Sequence, residues 1–412
     1  MGFTSGNQIV HTSMKILILC TYPIEDPIHG GQLRVRNIVD AYRSAGHEVQ
    51  VAGVLGSEQY PKEEGFVDYP GHEMLASVYP EPFLMEDYAI GKLMAGDTAW
   101  FEKLSDKIKI KPDLIEVVQP WLSLFCARYI REKNINPIII YSSQNVEYTL
   151  KEKIVNSYLG EVRGAKARDE VLSCELAAID MADAMIGVSK DDVAWLRQIT
   201  NKPIQLFPNG VKPWHASTQG LRSAKDIIQN KHYALYCASA HPPNVTGFFE
   251  LFGGGFGSLN PDQSLVIAGA VGYSIAKDQR LHQSAKLAER TVIAGKVSQP
   301  CLEGLLEIAH TIVLPITQGG GTNLKTAEAL WSGKYVIATM VAMRGFEEFI
   351  GDPGVFVANS SSEFKRTLRH VIAMDPLQLS DADRDKRKRV LWADCLKDLP
   401  IFAERLMKEK VK

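Results

Sequence analysis

The sequence of 412 residues lacks any pair of cysteines at the spacing of a metal or redox motif. Its six cysteines stand singly, at positions 20, 126, 174, 237, 301 and 395. A zinc cage or a disulfide framework normally shows paired or regularly spaced cysteines. The sequence therefore indicates neither, and it favours reduced thiols in a cytoplasm.

Long apolar runs and an excess of one sign of charge are also missing. The N-terminal run at 16–20 is too short for a signal peptide or for the roughly 20 residues of a membrane span, and no later run reaches the length of a span. The net charge of -2 gives no field that would hold a nucleic acid. With 45% apolar and 23% charged residues, the balance predicts a soluble globular enzyme rather than a disordered or fibrous chain. Together with the cysteines and the net charge, it favours a cytoplasmic enzyme that binds no nucleic acid.

Apolar runs alternate with helical patterns along the whole chain. Apart from Lys15, residues 14–20 form an apolar run, as expected for a parallel strand that is covered on both faces. Further strands are predicted at 49–51, 114–118, 137–141, 184–188, 233–236, 264–268, 291–294, 311–315 and 335–338. This rhythm predicts an α/β protein with two Rossmann-like, doubly wound domains that face a cleft.

The domain boundary is predicted where both periodicities break, at Pro208, Asn209 and Gly210. Residues 1–13 precede a second methionine and are interpreted as an extension or a cloning remnant. The two Rossmann-like domains then occupy 14–208 and 209–380, and a charged helical tail occupies 381–412.

The most informative segment runs from Gln318 to Glu328. It contains three consecutive glycines, Gly319, Gly320 and Gly321. Glycines let the backbone turn sharply and approach a ligand, and free N–H groups at a helix start attract anions. Lys325 adds a positive charge, and Glu328, about one turn further on, can accept hydrogen bonds from ribose hydroxyls. The segment indicates a nucleoside-diphosphate site; the alternative is an ordinary connection between a strand and a helix.

In their order and spacing, several motifs resemble those of the GT-B glycosyltransferases, and more narrowly the large bacterial family, of group 1 type, that uses nucleotide-sugar donors and retains the anomeric configuration. The motifs are 15–19, 29–34, 46–49, 182–189, 208–211, 240–247, 267–269, 294–297 and 318–339. The resemblance covers nearly the whole chain. It implies an acceptor-binding domain followed by a donor-binding domain, and glycosyltransferase activity.

The resemblance also implies donor-binding residues in the second domain. The family has two glutamates eight residues apart, of which the first approaches the donor sugar and the second bonds the ribose. Glu328 matches the second, whereas Gly320 stands at the first position, so that sugar recognition is unassigned. We expect Thr322, Asn323 and Lys325 to occupy the vacated space.

A second departure concerns the arginine and lysine with which relatives often hold the diphosphate, because this chain lacks the pair. Lys325 and Arg344 are the candidates to replace the lost charge. His241 and Asn244, in a rigid turn after a strand, are assigned to donor binding, with helix capping by His241 as the alternative. Lys296 is a further donor-binding candidate, because it stands where relatives hold the nucleotide base with backbone groups.

On the acceptor side, Gly30 and Gly31 follow the first strand, where open α/β sheets place their crevice. We expect these glycines to face the donor phosphates; the alternative is a simple tight turn. Arg34 and Arg36 follow on the helix with different orientations, so only one is expected to point into the cleft. Arg34 is assigned to the acceptor.

Many relatives place a histidine after the strand at 114–118, and this chain has Gln119 there. A glutamine orients a hydroxyl but cannot remove its proton. Asn145 and Glu147, after the next strand, are candidates for binding or activating the acceptor, although a loop glutamate is more often an ion-pair partner. The catalytic candidates are therefore Lys325, Glu147 and Gln119.

The resemblance implies a metal-independent, retaining glycosyltransferase without a cofactor, in which the nucleotide sugar is a substrate. The acceptor is a glycan, a lipid-linked molecule or a small molecule, and peripheral contact with a membrane is left open. Asp381 and Asp383 imitate a metal-binding pair but lie in a charged run, which we interpret as a helix start. The alternatives are a sugar-nucleotide epimerase of the same architecture and a nucleotide-sugar-binding protein without turnover.

Overall fold

The computed structural model describes residues 13–228, 232–254, 257–318 and 322–410. The chain divides into two compact units. Unit 1 comprises residues 1–207 and 396–412, and unit 2 comprises residues 208–395. The first division, between Phe207 and Pro208, lies one residue before the predicted boundary. Of the predicted extension 1–13, only Ser13 is among the described residues.

Unit 1 is built on a seven-stranded parallel sheet with the order β3-β2-β1-β4-β5-β6-β7. The strands are β1 (Lys15–Cys20), β2 (Glu48–Val54), β3 (Phe66–Val67), β4 (Leu114–Val118), β5 (Ile138–Ser142), β6 (Ala184–Gly187) and β7 (Ile204–Leu206). All residues of β4 and β5 are buried, as a parallel sheet covered on both faces requires.

The helices of unit 1 connect these strands. They are α1 (Gly30–Ser44), α2 (His72–Val78), α3 (Glu86–Gly96), α4 (Thr98–Ser105), α5 (Ser123–Lys133), α6 (Glu147–Leu159), α7 (Glu161–Met181) and α8 (Lys190–Ile199). Helix α1 buries Val35, Ile38, Val39 and Tyr42, which is the set of side chains that repeats at helical spacing.

Unit 2 contains a six-stranded parallel sheet with the order β10-β9-β8-β11-β12-β13. The strands are β8 (His232–Cys237), β9 (Gln263–Ala268), β10 (Thr291–Gly295), β11 (Thr311–Leu314), β12 (Tyr335–Ala338) and β13 (Val355–Val357). The prediction of two Rossmann-like α/β sheets is therefore confirmed.

The helices of unit 2 alternate with its strands. They are α9 (Thr218–Ile228), α10 (Pro242–Phe252), α11 (Val271–Lys277), α12 (Gln279–His282), α13 (Ala285–Arg290), α14 (Gln299–Ile308), α15 (Leu324–Trp331), α16 (Ser361–Val371), α17 (Asp381–Arg387) and α18 (Trp392–Cys395), with 3-10 turns at Glu347–Phe349 and Lys388–Val390. Ser380 and Asp383 form a capping box at the start of α17, so the acidic pair lies at a helix start as interpreted.

The C-terminal tail is shared between the units rather than forming one docked segment. Residues up to Cys395 belong to unit 2, where Val390 is fully buried. The last helix, α19 (Leu399–Lys410), belongs to unit 1 and packs against α1. Phe402 of α19 contacts Phe207, with 6.0 Å between ring centroids. None of the helices within the described ranges combines the length and the apolarity that crossing a membrane requires.

Candidate functional site

The order of strands places a ligand crevice between β8 and β11 of unit 2. These two strands are hydrogen-bonded neighbours, and the chain continues from β8 to β9 on one side and from β11 to β12 on the other. Such a switch point opens a crevice at the carboxyl ends of the two strands, which is where open α/β sheets bind ligands. The segments after Cys237 and Leu314 therefore border the candidate site.

Close backbone packing shapes this crevice. A Cβ atom at Gly247 of α10 would lie 2.2 Å from the carbonyl oxygen of Pro315. Only glycine permits this approach of α10 to the segment after β11. The middle of α10 and the residues directly after β11 are thereby held side by side.

The segment between β11 and α15 provides the N-terminal turn of a helix at this crevice. Asn323 caps α15, and its side chain accepts a hydrogen bond from the N–H group of Lys325 over 3.1 Å. Thr326 donates its hydroxyl to the carbonyl oxygen of Ala342 over 2.6 Å. The predicted glycines Gly319, Gly320 and Gly321 lie outside the described residues. The start of α15 is thus anchored by side-chain hydrogen bonds, and it carries the predicted residues Thr322, Asn323, Lys325 and Glu328.

Lys325, Glu328 and Cys237 form one electrostatic group across the switch point. Burial raises the pKa of Glu328, and the charge of Lys325 opposes that rise. Burial lowers the pKa of Lys325, whereas Cys237 and Glu328 raise it. Burial and then the Glu328 charge raise the pKa of Cys237 to about 12, so the thiol stays protonated at neutral pH. The group can present an ammonium to an anion and a carboxylate to hydroxyl groups.

The turn after β8 carries His241 and Asn244, which have different environments. His241 is exposed and precedes α10, but its side chain makes no capping hydrogen bond there. Asn244 is 6% exposed and donates its amide to the carbonyl oxygen of Ser239 over 3.0 Å. Its own carbonyl oxygen accepts the hydroxyl of Tyr236. His241 is therefore accessible to a ligand, while Asn244 shapes the turn from within.

Lys296 and Arg344 lie on other loops of unit 2. The side chain of Lys296 is exposed, and its backbone N–H donates to the hydroxyl of Tyr273 over 3.2 Å. Arg344 is partly buried in the turn after β12. The adjacent Gly345 lies against Thr322, because a Cβ atom there would come within 2.3 Å of the Thr322 methyl carbon. The loop of Arg344 therefore borders the start of α15.

Unit 1 has its own switch point between β1 and β4. Gly30 and Gly31 form the first turn of α1, which His29 caps by accepting a hydrogen bond from the N–H group of Gln32. A Cβ atom at Gly31 would lie 3.0 Å from Oε1 of Gln144. The two glycines thus present a helix N-terminus at the edge where a ligand is expected.

Gln119, Asn145 and Glu147 meet at the same edge of the sheet. Gln119 donates its amide to Oε1 of Glu147 over 2.9 Å, and Asn145 donates to the same oxygen over 3.2 Å. Burial raises the pKa of Glu147, and the Gln119 hydrogen bond and the Lys151 charge oppose the rise. Gln119 has a φ of +59°, a left-handed conformation that is strained in residues other than glycine and is common at functional sites.

The position of Arg34 differs from the prediction. Arg34 is 1% exposed, and its Nη1 donates to the carbonyl oxygen of Phe207 over 2.8 Å. Burial raises the pKa of the nearby Glu116 in β4, and the charge of Arg34 is one of the influences that oppose this rise. Arg36 instead lies 3.5 Å from Asp40 as a surface ion pair. We therefore reassign Arg34 from acceptor binding to the interior of unit 1.

The structure adds Asp87 to the edge of unit 1, a residue that the sequence motifs did not indicate. Its Oδ1 accepts the hydroxyl of Thr21 over 3.2 Å, and its Oδ2 lies 3.6 Å from Nζ of Lys151. The Asp87 side chain is 35% exposed, whereas Glu147 is 2% exposed. Its charge also opposes the lowering of the His29 pKa that burial causes. Asp87 belongs to no sequence motif, so no signal in the sequence indicated it.

Family models match both halves of the chain. The model described as Glycosyltransferase Family 4 matches residues 28–214. The model described as Glycosyl transferases group 1 matches residues 250–374. The second match includes β11, α15 and the whole Lys325 to Glu328 turn. No curated protein sequence matches the chain significantly.

Solved structures share the fold of the whole chain at low sequence identity. Sucrose-phosphate synthase from Thermosynechococcus elongatus has a TM-score of 0.67 at 15% identity, over 96% of this chain and 100% of that one. The lipopolysaccharide outer core galactosyltransferase WaaB has a TM-score of 0.61 at 13% identity, over 95% and 100%. Anabaena HepE in complex with UDP-glucose has a TM-score of 0.56 at 13% identity, over 97% and 99%. With a family 4 domain in its first half and a group 1 domain in its second, the chain belongs to the GT-B glycosyltransferases.

Proposed function

We propose that this enzyme transfers a sugar, with retention of anomeric configuration, from a nucleoside-diphosphate sugar that binds at the start of α15. One observation carries the proposal: Lys325 and Glu328 occupy the first turns of a helix at the switch point of unit 2, in electrostatic contact with Cys237 at the end of the neighbouring strand. Glu328 accepts hydrogen bonds from the ribose, and Lys325 faces the diphosphate.

The chemistry fits these two side chains. Transfer breaks the bond between the anomeric carbon and the diphosphate oxygen, and it forms a bond from that carbon to the acceptor oxygen, whose proton leaves with the diphosphate. The sugar gains positive charge and the diphosphate gains negative charge in the transition state. An ammonium that is already in place stabilises the developing negative charge at little reorganisation cost. The N–H groups of the first turn of α15 add to this field, so that the leaving group is held without a metal.

The donor class is supported by a structure of similar fold, since Anabaena HepE was solved in complex with UDP-glucose. We extend this donor class to the present chain as either a UDP-sugar or a GDP-sugar. The acceptor, a glycan, a lipid-linked molecule or a small molecule, binds at the carboxyl edge of the unit 1 sheet, near Gln119, Asn145 and Glu147. We place the reaction in the cytoplasm, with peripheral membrane contact where the acceptor is lipid-linked.

A panel of UDP- and GDP-sugars tests the proposal. Each donor is incubated with the protein, with and without added chelator and with mixed glycan or lipid acceptors, and the release of nucleoside diphosphate and the anomeric configuration of the product are measured. We expect one donor to be consumed without added metal and the product to retain the donor's configuration. Inversion at the carbon next to the anomeric centre would identify an epimerase instead. Tight binding of UDP or GDP without turnover of any donor would identify a binding protein.

A further inference from the structure

A hydrogen bond joins the start of unit 2 to the proposed donor site. Asn209 is the second residue of unit 2, and its Nδ2 donates to Oγ1 of Thr322 over 2.7 Å. The two residues are 113 positions apart in sequence. Thr322 immediately precedes Asn323, the cap of α15. The side chain of Asn209 therefore contacts a residue of the donor segment directly.

The segment that carries Asn209 is fixed by backbone contacts. The carbonyl oxygen of Asn209 accepts the thiol of Cys395 at 3.7 Å. The N–H group of Val211 donates to the carbonyl oxygen of Val390 over 2.9 Å, and Val211 accepts the N–H group of Trp392 over 3.1 Å. These contacts do not use the Asn209 side chain. A substitution of that side chain thus removes its bond to Thr322 while leaving the supporting backbone contacts in place.

The Thr322 side chain is constrained from two sides. Its hydroxyl oxygen accepts from Asn209, and its methyl group lies against Gly345, which has a φ of +84° and leaves no room for a Cβ atom. A threonine has few χ1 rotamers even without such contacts. The hydroxyl of Thr322 is therefore held in one place at the start of α15.

The direction of this hydrogen bond decides what Thr322 can bind. A hydroxyl has one hydrogen to donate and two lone pairs. The Asn209 amide occupies a lone pair and so directs the hydroxyl hydrogen elsewhere, and among the described residues no acceptor takes that hydrogen. An oxygen of an anionic ligand at the helix start is the partner that suits it.

We propose that Asn209 is a positioning residue for the donor, which orients the Thr322 hydroxyl so that it donates to a phosphate oxygen of the nucleoside diphosphate. This inference rests on the donor site proposed above. The effect of Asn209 passes through Thr322 and concerns the phosphates, whereas the base and ribose are bound by other groups. Loss of the Asn209 side chain should therefore lower the affinity for a nucleoside diphosphate and leave the affinity for the nucleoside unchanged.

Calorimetric titration of UDP and uridine, or of GDP and guanosine if the wild type prefers them, tests the inference. Asn209→Ala should lower the affinity for the diphosphate about 10-fold, as expected for one hydrogen bond to a charged group. The affinity for the nucleoside should change less than two-fold. Asn209→Asp should lower the affinity for the diphosphate further, because a carboxylate accepts the hydroxyl hydrogen of Thr322 and repels the phosphate. Asn260→Ala, an exposed asparagine of unit 2, is the matched control and should match the wild type.

A double-mutant cycle with Thr322→Val completes the design. Thr322→Val removes the hydroxyl itself and should lower the affinity for the nucleoside diphosphate. In that background, Asn209→Ala should lower the affinity by less than a further two-fold. Thr322→Ser should retain most of the affinity. Full additivity of the two substitutions, or equal losses for diphosphate and nucleoside, would overturn the role of Asn209. A wild type that binds neither diphosphate would overturn the donor site itself and the Asn209 role with it.

Discussion

Gln119 donates its side-chain amide to Oε1 of Glu147 over 2.9 Å. The two residues follow neighbouring strands, β4 and β5, and the sequence makes each of them a catalytic candidate on separate grounds. Their contact makes them one unit, in which a neutral amide orients a carboxylate that is 2% exposed. The backbone of Gln119 is left-handed at the switch point of unit 1, and such conformations cost about 1 kcal/mol or more and cluster at functional sites.

The first prediction separates the Gln119 amide from the Gln119 backbone. Asparagine and glycine both accept a left-handed conformation, but neither side chain reaches Glu147. Gln119→Asn and Gln119→Gly should therefore fold and should both lower kcat about 10-fold or more, with nucleoside-diphosphate affinity unchanged. Steady-state kinetics and calorimetry provide the comparison. Wild-type kcat in both variants would show that the Gln119 to Glu147 contact serves only the stability of unit 1.

The second prediction concerns the charge of Lys325. Lys325→Met keeps most of the side-chain volume and removes the ammonium, so the developing charge on the diphosphate is no longer neutralised. Loss of one such preorganised group typically costs a factor of 100 to 1,000 in kcat, and we expect a reduction of about 100-fold with a smaller change in UDP or GDP affinity. Lys277→Met, at an exposed position on α11, is the control. A variant that weakens binding but retains kcat would place Lys325 in ground-state binding alone.

Several features of the fold and the site could be predicted because they are local. The continuous apolar runs indicated the central strands, and the glycine-rich segment before Lys325 indicated a helix start. The strands β3, β7 and β13 are two or three residues long, too short to show a period. They pair because their neighbours present free edges, which a local pattern does not contain.

Other features depend on contacts between distant residues. Arg34 of α1 is buried, and its charge acts on the buried carboxyl of Glu116 in β4. Helical spacing alone cannot show that neighbour. The sequence shows Cys237 only as one of six scattered cysteines. Its place near Lys325 and Glu328 follows from the pairing of β8 with β11. Likewise the Pro208-Asn-Gly sequence indicated a boundary, whereas the bond from Asn209 to Thr322 required the fold.

The third prediction uses a buried carboxylate that supports Glu147. Glu175 accepts hydrogen bonds from the N–H groups of Glu147 and Tyr148, each over 2.9 Å. Burial raises its pKa from 4.5 to about 8, although these two hydrogen bonds oppose the rise. The folded protein therefore binds this proton more tightly than the unfolded chain does. The contribution of Glu175 to stability is fully present below pH 4.5 and is lost as the pH rises to about 8, by at most ~1.4 kcal/mol per pH unit.

Glu175→Gln should remove this dependence because a glutamine stays neutral. The free energy of unfolding of the variant, minus that of the wild type, should become more positive between pH 5 and about 8. Urea denaturation at a series of pH values measures it, and the difference cancels the contributions of other groups. Glu73→Gln, an exposed substitution on α2, should run parallel to the wild type. A difference that does not vary with pH would contradict the raised pKa of Glu175.

The central claim, that the nucleotide binds at the start of α15, is tested most directly by calorimetric titration of UDP and GDP into the wild type and Glu328→Ala. We predict that the wild type binds one of them and that Glu328→Ala weakens it 10- to 100-fold, or about 1.4–2.8 kcal/mol. The affinity for the corresponding nucleoside should fall equally, because the proposal assigns Glu328 to the ribose. Glu307→Ala, an exposed glutamate on α14, should bind as the wild type does. Unchanged affinity in a folded Glu328→Ala protein would contradict the site.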